Sequence, residues 1–272
     1  MMGNIYLDLT NEFNEGGLRA ILSSGQAVVL HRLALASKDG DWIVRETSQS
    51  LDFILGILES HGGRYRLGAP LDVRWMGAGW SAHFEFATEG YRARCDFVTR
   101  PPRLTSGDLA ALWTQQERGE NGGLEVPTID LRRLADLKKT DRERDYAVIG
   151  DLARKMSVED QLVQSRSARD LIELAKRHPQ LVQDLASKRP VLASLKQIGE
   201  SRISLQRALA EEQFDLMERN EKRLAAYSKA AQQWTSNWPQ LQRQIRQLPL
   251  RPAHDVLVAE ALKLLPTEVE GV

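Results

Sequence analysis

Asp39 and Asp41 flank a single glycine just ahead of the apolar run Trp42-Ile43-Val44, in the stretch SKDGDWIVRE. Residues two apart on a strand point to the same face, so the two carboxylates are expected side by side. Like charges so placed repel, and a shared divalent cation relieves the repulsion. Hard oxygen ligands at this spacing suit Mg²⁺, which keeps several waters and takes its remaining ligands from substrate phosphates. In RARCDFVT, Asp96 alternates with Cys95 and Phe97 and so faces away from the core side of its strand. That makes it the candidate third carboxylate, as a further metal ligand or as base toward an attacking hydroxyl. An EF-hand does not fit, because Ile43 stands where the loop needs an oxygen and no glycine follows at the required place.

The second feature is the turn Ser23-Ser24-Gly25, between a strand read around residues 18–22 and a helix through QAVVLHRLA. Free backbone N–H groups and hydroxyls at a helix N-terminus suit a triphosphate, and tight packing is the other reading of such a turn. Lys38, Arg45, Arg100 and Arg103 surround the carboxylates in sequence; neutralising phosphate charge is one reading of them and ordinary solvated charge the other. His31 reads as a hydrogen-bonded packing residue. His83 and Glu85 share one strand face and are expected to pair across a hairpin with Arg74. The histidines are scattered, which argues against zinc. The six tryptophans form no basic-aromatic strip for single-stranded nucleic acid.

These residues need elements to hold them. Up to about residue 150 glycine is frequent, and short β-prone runs (DWIVRE, LDVRWM, SAHFEFA, YRARCDFVT) lie between turns and helical patterns. LDVRWMGAGWSAHFEFA reads as a hairpin turning at Gly77-Ala78-Gly79, with Trp75 and Trp80 packing it. SQSLDFILGILESHGG carries Leu51, Ile54, Leu55 and Leu58 on one helical face and stops at Gly62-Gly63. After residue 150 glycine nearly disappears and Leu, Ile and Ala take helical spacing, with Pro179, Pro190, Pro239, Pro249 and Pro252 as expected breaks. The chain is therefore expected to be an α/β module, residues 1–155, followed by an all-helical module, residues 156–272.

In order and spacing, LSSGQAVVLH, SKDGDWIV and RCDFVTRPPRL resemble the nucleotidyltransferase superfamily, the fold shared with DNA polymerase beta, in its small bacterial branch. The likeness covers about residues 10–155. It implies an α+β domain on a small mixed sheet, with Ser23, Ser24 and Gly25 at the triphosphate, Asp39 and Asp41 as metal ligands and Asp96 as the third carboxylate. LRRLADLKKTDRERDYAVIGDLARK resembles the helix closing that domain, from which Lys138 or Lys139 would reach a phosphate. Two positions depart from the family pattern. Ser24 replaces a usual glycine, and Gly40 replaces the apolar residue between the aspartates, where it is expected to loosen the strand.

The resemblance implies a Mg²⁺-dependent enzyme, with Mn²⁺ as an alternative ion, that moves a nucleoside monophosphate from a nucleoside triphosphate such as ATP to a hydroxyl acceptor. Small members of the superfamily act on small molecules, proteins or tRNA, and some are toxins paired with antitoxins. The contrasting expectation is a degenerate member of the same fold, serving as an interaction module. Lys plus Arg and Asp plus Glu number 37 each, so no overall basic field announces a nucleic-acid partner. The single cysteine, Cys95, leaves no internal disulfide framework and fits the cytoplasm. No segment reads as a secretory signal or membrane span, and the mixed charges of the C-terminal helices suit an exposed face that could meet a second copy or a partner protein.

Overall fold

The structure, a computed structural model, describes residues 4–88, 90–115, 117–121, 123–197 and 202–271. The fold is mixed α/β: one seven-stranded sheet with helices, and a wholly helical part. The chain divides into two compact units, residues 1–129 with 224–272, and residues 130–223. Neither division point coincides with the boundary expected near residue 155. The helices of the expected second module are shared between the units, because the apolar side chains after residue 224 complete the core of the first.

In the first unit the strands are β1 (Ala20–Ser23), β2 (Gly40–Val44), β3 (Arg64–Tyr65), β4 (Ala82–Ala87), β5 (Arg92–Val98), β6 (Glu117–Asn121) and β7 (Leu124–Thr128), in the order β3-β4-β5-β2-β1-β7-β6. β2 pairs parallel with β5 and antiparallel with β1, while β4 pairs antiparallel with β5. The helices before the second unit are α1 (Ile5–Phe13), α2 (Ser24–Leu30), α3 (Ser48–Ser60), the single turn α4 (Val73–Met76) and α5 (Ser106–Thr114). The sheet is larger than the small one expected: the two-residue β3 and the hairpin β6–β7 extend both edges.

Strand alternation sorts the sheet's two faces. Trp42, Phe84 and Phe97 point to one side, where the Trp42 and Phe97 rings stack at 5.3 Å and Phe13 from α1 meets Trp42 edge-on at 5.3 Å. α3 adds Leu51, Ile54, Leu55 and Leu58 to that core, the face its spacing predicts, and ends as predicted with Gly62 at φ 70°. Helices Gln232–Ile245 and Leu250–Leu264 bury Trp234, Trp238, Leu241, Leu250 and Leu257 in the same core. Pro239 lies inside the first of these helices rather than breaking it. Its neighbours Trp234, Trp238 and Leu241 form a continuous buried face, and that packing outweighs one missing backbone donor.

The hairpin expected at Gly77-Ala78-Gly79 is not there. Asp72 caps a helical turn instead, its Oδ1 accepting from Arg74 N at 3.0 Å, and the hairpin is β4–β5. Trp75 and Trp80 pack elsewhere too: their Nε1 atoms donate to the carbonyls of Leu265 and Thr267, at 3.0 and 3.2 Å.

Tyr65 and His254 tie the C-terminal helix to this core. Tyr65 takes a hydrogen bond from Leu71 N at 3.0 Å, and its hydroxyl lies 2.7 Å from His254 Nδ1. Burial pushes the His254 pKa below its ordinary value, the nearby Asp72 only partly opposing it. Unfolded, His254 gains a proton near pH 6.5; folded, it does so only at lower pH. The neutral seat therefore adds stability that is whole above about pH 6.5 and is lost as pH falls from there through the folded pKa. Melting temperatures from pH 7.5 to 5 are expected to fall more steeply for the wild type than for His254→Gln. Parallel curves would remove His254 from the acid response.

The second unit contains helices Leu131–Leu137, Glu143–Ala153, Val158–Gln164, Ala168–Arg177, Pro179–Leu185, Val191–Gln197 and the part of Arg202–Ala230 up to residue 223. Ser157 and Ser167 cap two of them, accepting from the backbone N–H of Asp160 and Asp170. Pro179 opens its helix at the first position, where no donor is lost. Leu162, Leu171, Val182, Leu185, Leu192, Leu205 and Leu209 form the core.

Candidate functional site

The predicted carboxylates meet through strand register. Ser23 on β1 is the partner of Asp41 on β2, Asp41 of Asp96 on β5, and Asp96 of His83 on β4. Directly paired residues project to the same face, so these four side chains form a row across the sheet, opposite the aromatic core. Asp39 stands just before β2, in a bend rather than on the strand. All three carboxylates act on one buried group: the Cys95 thiol is pushed well above its ordinary range by burial first, then by Asp96, Asp41 and Asp39. Cys95 is consequently an uncharged core residue.

Gly40 does not loosen this strand. A Cβ there would stand 2.3 Å from the Trp42 ring and 2.5 Å from the Tyr6 ring, so two buried aromatics occupy the space a side chain would need. The bend is tied on its other side as well. Tyr6 Oη donates to Lys38 O at 2.5 Å, and Gln26 Nε2 donates to Ser37 O at 3.0 Å.

The small-residue turn joins β1 to α2 where the sequence places it. Ser24 adopts φ 50°, the left-handed region in which a glycine would be relaxed. Gly25 lies so close to Ser37 that a Cβ would stand 2.3 Å from its Oγ. Ser23 is buried, and its hydroxyl donates to Asp41 O at 3.1 Å. α2 has only seven residues, which leaves little helix dipole for a phosphate. The turn thus holds the carboxylate row and the bend in place.

Lys138 belongs to the second unit, where it is buried with Nζ 3.4 Å from Asp145 Oδ1; Lys139 Nζ donates to Asp136 Oδ1 at 2.7 Å. Among the cations near the carboxylates in sequence, Arg100 makes two 2.7 Å bonds to Glu46. Arg45 donates to Leu18 O at 2.7 Å and lies over the Trp113 ring. Lys38 faces the cavity described below. His31 packs as expected, with Nε2 3.0 Å from Ile129 O. His83 and Glu85 do not hold Arg74, which pairs with Asp72 at 2.8 Å; Glu85 takes Arg92 at 2.7 Å.

His83 instead completes the row. Its Nδ1 lies 2.7 Å from Asp96 Oδ1, and Arg66 Nη1 lies 3.4 Å from the same oxygen. Asp96 is thereby committed to an imidazole and a guanidinium. Among the described residues no group of three or more His, Cys, Asp or Glu side chains is placed to hold a metal ion.

Beside Asp39 opens a cavity of about 600 Å³, bounded by Asn4, which caps α1, and Tyr6 of α1, Gln26 and Val29 of α2, residues 35–39 and Tyr91, Arg92 and Arg94. Lys38, Arg92 and Arg94 give it three cations against Asp39, with two tyrosines on its wall. Its size lies within the roughly 300–1,000 Å³ usual for small-molecule sites. Arg66 and Tyr91 had no distinguishing signal in the sequence. The alternation of RARCD, which places Arg92 and Arg94 on the face of Asp96, was the one clue.

No family model matches this sequence, and no curated protein matches it. Two solved structures from Helicobacter pylori are similar. One is described as a "putative nucleotidyltransferase", at 14% identity and TM-score 0.38, over 81% of this chain and 98% of that one. The other, JHP933, matches at 14% and 0.38 over 83% and 97%. A likeness of that degree assigns no role to any residue. Among the described residues, no helix is long and apolar enough to cross a membrane.

Proposed function

We propose that the protein binds a nucleoside triphosphate in the cavity beside Asp39 and transfers its nucleoside monophosphate to a hydroxyl acceptor. The observation that carries this reading is the pairing of Asp41 with Asp96 in register, on strands whose preceding residues, Asp39 and the cations Arg92 and Arg94, line the cavity. Lys38, Arg92 and Arg94 offset the triphosphate charge, since charge-assisted hydrogen bonds are the strong ones. Tyr91, half exposed at the cavity wall, offers ring surface to a base. Bound there, Mg²⁺ would neutralise triphosphate charge, with Asp39 at the cavity and Asp41 two residues on as the carboxylates that would hold it. Asp96, joined to His83, takes the acceptor's proton as the hydroxyl attacks the α-phosphorus and pyrophosphate leaves. Few groups are needed, because such transfer depends mostly on positioning and charge.

The test is calorimetric titration with ATP and with GTP, in Mg²⁺ and in EDTA. Wild type is expected to bind one nucleotide in a metal-dependent way. Arg94→Ala is expected to bind it about 10-fold or more weakly, the loss of one charge-assisted contact. Asp39→Ala/Asp41→Ala is expected to lose the metal dependence. Absence of binding in the folded wild type would overturn this reading and point to an interaction module built on the same fold.

A further inference from the structure

The hydrogen-bonded chain that starts at Asp96 does not end at His83. His83 Nε2 lies 2.8 Å from Ser81 Oγ, while His83 Nδ1 lies 2.7 Å from Asp96 Oδ1. An ionised carboxylate only accepts, so Nδ1 carries the hydrogen; Nε2 of the neutral ring is then the acceptor, and Ser81 donates. This is the serine–imidazole–carboxylate order, in which the carboxylate fixes the tautomer and the imidazole takes the hydroxyl proton.

Backbone pairing holds all three. His83 and Asp96 are register partners on β4 and β5. Ser81 immediately precedes β4, and its carbonyl accepts from Ala69 N at 2.9 Å; the carbonyl of His83 accepts from Arg66 N at 2.9 Å. The side chains remain reachable from solvent, His83 at 26% and Asp96 at 28% exposure, with Ser81 half-buried. Nucleotidyl transfer makes no use of Ser81.

We propose that Ser81 is a nucleophile, activated by His83 and Asp96, that accepts the acyl group of a carboxylic ester. Ser81 Oγ bonds to the carbonyl carbon as its proton passes to His83 Nε2. The ester C–O bond breaks, and the alcohol leaves with that proton. A water then gives a proton to the same nitrogen and attacks the acyl-serine, releasing the acid and restoring Ser81. Arg66 beside Asp96 adds positive charge to this face, which suits an ester with an anionic acyl part. The activity needs neither nucleotide nor metal, so its failure and the failure of nucleotide binding appear in separate experiments.

The full chain is treated with a fluorophosphonate probe, which bonds to an activated serine oxygen with loss of fluoride, and the adduct is mapped by mass spectrometry. The expected result is an adduct on Ser81 of the native protein that is absent after heat denaturation and absent in Ser81→Ala. Labelling is expected to slow about 100-fold in both His83→Ala and His83→Gln, the loss of a general base. A native wild type unlabelled at Ser81 would overturn the proposal, whatever the variants do. Equal labelling rates in wild type and in a His83 variant with an unchanged melting curve would overturn it too.

Discussion

Gly40→Ala is expected to destabilise the first unit by about 2–3 kcal/mol, an overpacking cost, and Gly40→Val by more. The added Cβ would stand 2.3 and 2.7 Å from Trp42 ring carbons and 2.5 Å from a Tyr6 ring carbon. Neither ring has room to retreat. Trp42 is stacked on Phe97 and met edge-on by Phe13, with Nε1 donating to Thr10 Oγ1 at 2.9 Å, and Tyr6 is held by its bond to Lys38 O. The clash would be relieved by moving the strand, which carries Asp39 and Asp41 with it. All six tryptophans, at 42, 75, 80, 113, 234 and 238, lie in the first unit, so thermal unfolding followed by their fluorescence reads this unit directly. A midpoint lowered by roughly 4–12 °C is expected for Gly40→Ala, at about 2–4 °C per kcal/mol for a unit of this size. Trp42→Phe removes the ring atoms nearest to the new methyl, so the double variant should lose less than the two single losses added together. Strict additivity, or a Gly40→Ala midpoint equal to wild type, would show that the strand accommodates a side chain.

The same glycine shows what a sequence can and cannot tell about a site. Local patterns carried well. The buried face of α3, its glycine stop, the turn at Ser23-Ser24-Gly25 and the outward face of Asp96 all follow from spacing, because each depends on neighbours within one element. Facts that depend on register between distant strands did not. His83 meets Asp96, rather than Arg74, because β4 pairs with β5 and not with the preceding segment, whose Asp72 starts a helical turn. That capping aspartate was the available signal, and the β-prone residues Val73 and Trp75 obscured it. β6 and β7, ERGEN and LEVPT, carry too little alternation to stand out from a loop. The return of residues 224–272 to the first core is a matter of tertiary packing, to which helical periodicity is blind: the apolar stripe of a helix states that something covers it, not what does.

Glu212→Gln is expected to cost the second unit about 3 kcal/mol or more, because it leaves two buried guanidinium groups without their counter-charge. Glu212 takes Arg189 in a two-pronged pair, Nη2 at 2.8 Å and Nε at 3.0 Å, and also accepts from Arg166. Both arginines reach on to backbone, Arg189 to Leu162 O at 2.8 Å and Arg166 to Leu209 O at 3.1 Å, so one carboxylate holds three helical segments in position. Burial alone would raise the Glu212 pKa, but Arg189 and Arg166 hold it below the usual range. The stability linked to this ionisation is therefore whole above the unfolded value, about pH 4.3, and is lost as pH falls through the lower folded pKa. Hydrogen exchange locates the effect: in Glu212→Gln, amides of the helices holding Leu162, Leu192 and Leu209 should lose protection at pH 7. As pH falls through the lowered folded pKa the difference from wild type should shrink, because the wild-type carboxyl is then neutral as well. Replacing charge and partners together, Arg166→Met/Arg189→Met/Glu212→Leu, is expected to recover a large part of the loss, since well-packed apolar side chains avoid the desolvation that the ion pairs must offset. Protection unchanged in Glu212→Gln would mean that the two arginines find other acceptors and that this network contributes little to the helical unit.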